Sequence, residues 1–124
     1  MKRSGYKYQI EQKLLNEHWK IKTMDSNFEW WDDEHWKMEY KYDSKLSFFL
    51  CFIVDPLFEK PRKKDQGIYE VKASTEFPKN WNDNEHTIAS ISMTKRKFEI
   101  KLEEFMNDII EFKKEKTTAN NAYN

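Results

Sequence analysis

The chain has 124 residues, 22 basic and 22 acidic side chains, and no formal net charge. That balance argues against a dedicated nucleic-acid binder, which carries a basic excess. The length suits one domain with a core of its own. The single cysteine, Cys51, has no partner for an internal disulfide and reads as a small buried hydrophobe. Met1-Lys2-Arg3 is positive, but no apolar signal-peptide region follows it, and no segment approaches the ~18 apolar residues of a membrane span. The expectation is a cytoplasmic protein with no membrane segment and no cofactor.

In chain order, Tyr6 to Glu17 reads as a short helix, with Ile10, Leu14 and Leu15 on one face. Trp19 to Met24 alternates and predicts a first strand. Asp25-Ser26-Asn27 is a turn signal. Phe28 to Trp31 reads as a brief strand, and Asp32 to His35 as the turn after it. Trp36 to Tyr42 alternates strictly: Trp36, Met38, Tyr40 and Tyr42 point one way, Lys37, Glu39 and Lys41 the other.

Leu46 to Val54, Leu-Ser-Phe-Phe-Leu-Cys-Phe-Ile-Val, is the longest apolar run and predicts the central strand. Asp55-Pro56 ends it. Pairing it with the preceding strand as a hairpin sets Tyr40 against Phe48, Met38 against Leu50 and Trp36 against Phe52. Pro56 to Gln66 is a basic loop, Gly67 to Ser74 a strand, Thr75 to Glu85 a polar loop, and Thr87 to Met93 a strand with Ala89, Ile91 and Met93 inward. Thr94 to Leu102 fits a strand or a helix. Three basic residues at Lys95–Lys97 disfavour a helix start there, which predicts a turn, a short strand, and a helix from about Leu102 to Lys116. Residues 117–124 form a polar tail of disordered composition.

This order predicts an α+β domain over residues 1–116. It is a two-layer sandwich: an antiparallel meander sheet of five or six strands, with an N-terminal and a C-terminal helix packed on one face.

No catalytic or cofactor motif is present. Phe28 to His35 is the densest mixture of aromatic and acidic groups, and within it Trp30, Trp31, Asp32, Asp33 and Glu34 are a candidate site for a basic protein partner, since Trp is enriched among interface hot spots. Phe49, Cys51 and Ile53 lie on the sheet face away from the helices, a candidate self-association patch giving a homodimer. The leading functional expectation is a non-enzymatic binding protein, similar in size and charge to inhibitor or immunity proteins. A second is a small-ligand or metal-assisted enzyme using Asp33, His35 and His86, although their spacing matches neither an EF-hand loop nor a zinc motif. A third is weak RNA binding through Lys60–Lys64 and Lys95–Lys97.

Overall fold

The structure, a computed structural model, describes residues 5–58, 61–93 and 97–121, with side chains to residue 117 in the last stretch. Helix α1 (Gly5–Asn16) is followed by strands β1 (Trp19–Asp25), β2 (Asp32–Tyr40), β3 (Asp43–Val54), β4 (Ile68–Ser74) and β5 (Thr87–Ser92), then helix α2 (Phe98–Asn121). The strands pair antiparallel in sequence order, so the sheet is a five-stranded meander. Short connections leave consecutive strands adjacent, and this topology follows. No helix among the described residues is long and apolar enough to cross a membrane.

One sheet face and both helices enclose the main core. Trp19, Trp36, Met38, Phe48, Leu50, Phe52, Val71, Ala73 and Ile91 meet Ile10 and Leu14 of α1 and Leu102, Phe105, Ile109 and Phe112 of α2. The Trp19 and Phe48 rings meet edge to face at 4.8 Å, a geometry that adds to area burial.

The β2–β3 hairpin has the expected faces but not the expected register. Met38 pairs with Phe48, Trp36 with Leu50 and Glu34 with Phe52, two residues away from the alignment predicted above. An even displacement keeps each side chain on its face. It arises because β3 starts earlier and the turn is tighter: Tyr40 pairs with Asp43, leaving Lys41 and Tyr42 as the turn. Tyr42 is 66 % exposed rather than part of the inner ladder.

Four further expectations are corrected. Phe28–Trp31 is a bend and turn, closed by the Asp32 N–H donating to the Glu29 carbonyl at 3.0 Å, and β2 begins at Asp32 itself. Phe98–Leu102 is the first part of α2, not a strand. Phe98 and Leu102 continue the helical face of Phe105 and Ile109, Ile100 is exposed, and Glu99 supplies the acid the first turn favours. The helix also continues through Thr117 to Asn121, into the expected tail; residues 122–124, like 94–96 in the expected turn, lie outside the described residues. In α1, Leu15 is 41 % exposed, while Lys7 is 1 % exposed on the buried stripe with Ile10 and Leu14.

Phe48 and Phe49 test this packing directly. Phe48 is fully buried in the main core, and Phe49 is half-buried on the other face. Phe48→Ala should cost about 3–5 kcal/mol, and Phe49→Ala roughly 1–2 kcal/mol, in urea unfolding. A larger loss at Phe49 would mean that the two faces are exchanged.

Candidate functional site

The acidic segment that follows the tryptophans lies inside the molecule. Asp32, Asp33, Glu34 and His35 are all buried. A β-bulge makes this possible: the β2–β3 register shifts between Asp32 and Glu34. Asp33 is the extra residue, and a bulge re-aims side chains that strict alternation would separate.

Asp33 and Glu34 meet the helix layer. The Lys7 ammonium donates to Asp33 Oδ2 at 3.0 Å, to Glu34 Oε1 at 2.7 Å, and to Asp65 Oδ1. An ammonium has three donors, and each goes to a different carboxylate. Lys7 Nζ also lies 4.6 Å from the centre of the Phe52 ring. Asp33 Oδ1 accepts from Arg62 Nη1 at 2.7 Å and from the Asp65 backbone N–H at 3.2 Å. Glu34 Oε2 accepts from the Trp36 indole at 2.7 Å. Arg62 also donates to the carbonyls of Lys63 and Gln66, so it wraps its own loop while holding β2.

The electrostatics follow from this geometry. Burial alone would raise the Asp33 carboxyl, but hydrogen bonds from Arg62 and Lys7 hold it below the usual carboxylate range. Burial opposes the charge of Glu34 too, and Lys7 and the Trp36 indole reverse the effect. For Lys7, burial favours the neutral amine, yet the hydrogen bonds it donates to Asp65, Glu34 and Asp33 raise its pKa above the ordinary value. The Asp33, Glu34 and Asp65 oxygens lie within 4.8 Å of one another, a spacing suited to a cation. The cation they converge on is Lys7.

Asp32 faces the other way. Its Oδ2 bonds His35 Nδ1 at 2.7 Å and accepts from the Phe28 backbone N–H at 3.2 Å, while Oδ1 has no hydrogen-bond partner among the described residues. Burial raises this carboxyl despite the His35 contact. Around it lies a second, smaller cluster of Trp31, Cys51 and Ile53, with Phe49, Tyr69, Phe77 and Trp81 packed against it. Trp31 stacks on Phe77 at 5.6 Å. The 75–86 loop therefore covers Cys51 and Ile53, and Phe49 is left half-buried. Lys72, fully buried, donates to the carbonyls of Trp81 (3.4 Å) and Asp83 (2.7 Å) and so fixes that loop. Burial pushes the Cys51 thiol far up, the opposite of an activated thiolate.

The three residues of the enzyme reading do not converge. Asp33 binds α1, His35 packs against Phe77, and His86 Nε2 pairs with Glu76 at 3.2 Å. Asp83 accepts backbone N–H groups of Lys79 and Glu85 and serves its own loop. Of the basic loops, Arg62 is committed to Asp33, and Lys60, Lys95 and Arg96 lie outside the described residues.

The exposed surface lies elsewhere. Trp30 is 56 % and Phe28 62 % exposed in the turn before β2; Leu57 is 87 % and Phe58 37 % exposed in the turn after β3. The two turns leave the same end of the β2–β3 pair, where the Val54 N–H donates to the Trp31 carbonyl at 2.8 Å. Of the predicted partner-binding set, only Trp30 is open to solvent; Trp31, Asp32, Asp33 and Glu34 are not. Sequence reasoning missed Lys7, Asp65 and Leu57, and places Arg62 only in a basic loop and Phe28 only in the aromatic and acidic stretch. For Lys7 a signal existed: it sits three residues before Ile10 and seven before Leu14, on the apolar stripe.

No protein-family model, curated protein or solved structure matches this chain.

The Lys7 cage makes two expectations measurable. Lys7→Met leaves buried carboxylates unpaired and should cost about 3–5 kcal/mol in urea unfolding at neutral pH. Asp33 and Glu34 have folded values below their unfolded ones. Their contribution is therefore complete above the unfolded carboxylate range of about 4 and is lost as pH falls through the folded values. The acid limb of stability between about pH 5 and about pH 2 should flatten in Lys7→Met; an unchanged limb would show that other groups set it.

Proposed function

We propose that this is a non-enzymatic binding protein whose docking site is the pair of turns carrying Phe28, Trp30 and Leu57. The observation that carries this reading is the exposure of these large apolar side chains at one end of the sheet. Isolated exposed apolar residues are ordinary, but clustered ones mark interaction sites. Trp30 is the natural anchor, since a large ring with a polar N–H brings much contact area at low entropic cost.

The turn is also pre-organised. Asn27 adopts φ 59°, a left-handed conformation that Asn tolerates. The Asn27 N–H donates to the Asp32 carbonyl at 3.0 Å, and the Phe28 ring rests 4.4 Å from the His35 ring. Holding the anchor in place before binding removes ordering cost from association. A cytoplasmic setting belongs to the same proposal and suits a lone, unpaired, buried cysteine.

Affinity capture with tagged chain from its source cells tests the reading. Wild type should retain a stoichiometric protein, and Trp30→Ala should lose it with unchanged unfolding behaviour, as expected for a hot spot worth about 2 kcal/mol or more. Retention of the same protein by Trp30→Ala and Leu57→Ser alike would refute the site.

A further inference from the structure

The turn that carries Phe28 and Trp30 is gripped from outside itself. Its own hydrogen bonds run from the Asn27 N–H to the Asp32 carbonyl at 3.0 Å and from the Phe28 N–H to Asp32 Oδ2 at 3.2 Å. The rings around it converge on Phe77, in the loop between β4 and β5. The Phe77 ring lies 5.8 Å from Phe28, 5.6 Å from Trp31 and 4.9 Å from His35. The His35 ring is the other ring on which Phe28 rests, at 4.4 Å. Trp30 lies between Phe28 and Trp31 in the chain, so Phe77 holds the turn on both sides of the docking anchor.

The loop that carries Phe77 is latched from the sheet. Lys72 of β4 is fully buried and donates to the carbonyls of Trp81 at 3.4 Å and Asp83 at 2.7 Å. A carboxylate, Glu70 Oε1, lies 3.9 Å from the same ammonium. A buried ammonium requires acceptors, so the loop cannot lift without stripping two of them from Lys72. The Trp81 ring packs on Tyr69 at 6.2 Å, and the Thr75 N–H closes the base of the loop on the His86 carbonyl at 3.0 Å.

Resting on the docking reading above, we infer that the 75–86 loop regulates the docking turn: while Lys72 holds the Trp81 and Asp83 carbonyls, Phe77 keeps Phe28 and Trp30 in place, and lifting the loop releases them. The two states differ in a definite set of contacts. Lifting takes Phe77 from Phe28, Trp31 and His35 together and uncovers Cys51 and Ile53, which the loop covers. Ring pairs contribute beyond the area they bury, and Phe28, 62 % exposed, has little burial of its own to fix it. A partner that needs Phe28 and Trp30 in place binds the latched state, so by linkage its docking holds the loop shut.

Native-state amide hydrogen exchange on the full chain, read by NMR, tests the inference. In Phe77→Leu the Asn27 and Phe28 amides should lose protection roughly tenfold through local opening, while the Met38 amide of β2 follows global stability alone. Lys72→Met, which touches nothing in the turn, should produce the same selective loss. So should Trp81→Leu, which frees the loop while leaving the buried charge in place. Ile91→Val, a destabilising change in the main core, should leave the turn amides no more affected than Met38. Unchanged Phe28 protection in Phe77→Leu, selective loss in Ile91→Val, or a loss in Trp81→Leu confined to the loop's own amides would each overturn the inference. Exchange needs no partner. Failure of the Trp30-dependent capture would therefore sink the docking site and leave the coupling measurable, and failure of the coupling would leave that capture standing.

Discussion

The hydrogen bonds from one lysine ammonium to three carboxylates organise this molecule. Lys7 belongs to α1, Asp33 and Glu34 to the first residues of β2, and Asp65 to the loop between β3 and β4. Three separate parts of the chain therefore meet at one atom. Arg62 adds a second cation on Asp33, and the more exposed Lys64 approaches Glu34 at 3.7 Å. Buried charges are tolerated when paired and fully hydrogen-bonded, and removing one partner strands the others. The cage is best understood as a device of specificity: it fixes where α1 lies on the sheet and how β2 begins, while the hydrophobic core supplies the bulk of the burial.

The cage also determines what the surface offers. By drawing Asp33 and Glu34 inward, it leaves the preceding turn with an exposed Trp30 and no adjacent carboxylate from β2. Asp32 and His35, on the opposite face, tie that turn to the sheet. The covering loop, held by Lys72 and packed through Phe77, closes the face over Cys51 and Ile53. Phe28 and Trp30 of that turn stay exposed, with the exposed acids Asp25 and Glu29 beside them.

Much of the fold is legible in the sequence because alternation is a local property. Trp36, Met38, Phe48 and Leu50 reveal their shared face through spacing alone, and a two-residue error in register leaves that face intact. The candidate site is far less legible. Charged side chains in sequence imply solvent, and only tertiary pairing overrides that default. The bulge at Asp33 has no local signature, and Arg62 and Asp65 reach the site through a loop whose path depends on it. Lys7 is the exception, a charged residue on the apolar stripe of α1. Phe98–Leu102 shows the converse limit: a segment that satisfies both periods is decided by the helix that continues beyond it.

A double-mutant cycle between Lys7→Met and Asp33→Asn, measured by urea unfolding at neutral pH, tests the central claim most directly. If the buried cage joins helix and sheet, the two losses should be strongly non-additive, with a coupling energy of about 2 kcal/mol or more. Losses that add to within about 0.5 kcal/mol would mean that the two charges do not act on each other, and the account built on their pairing would be wrong.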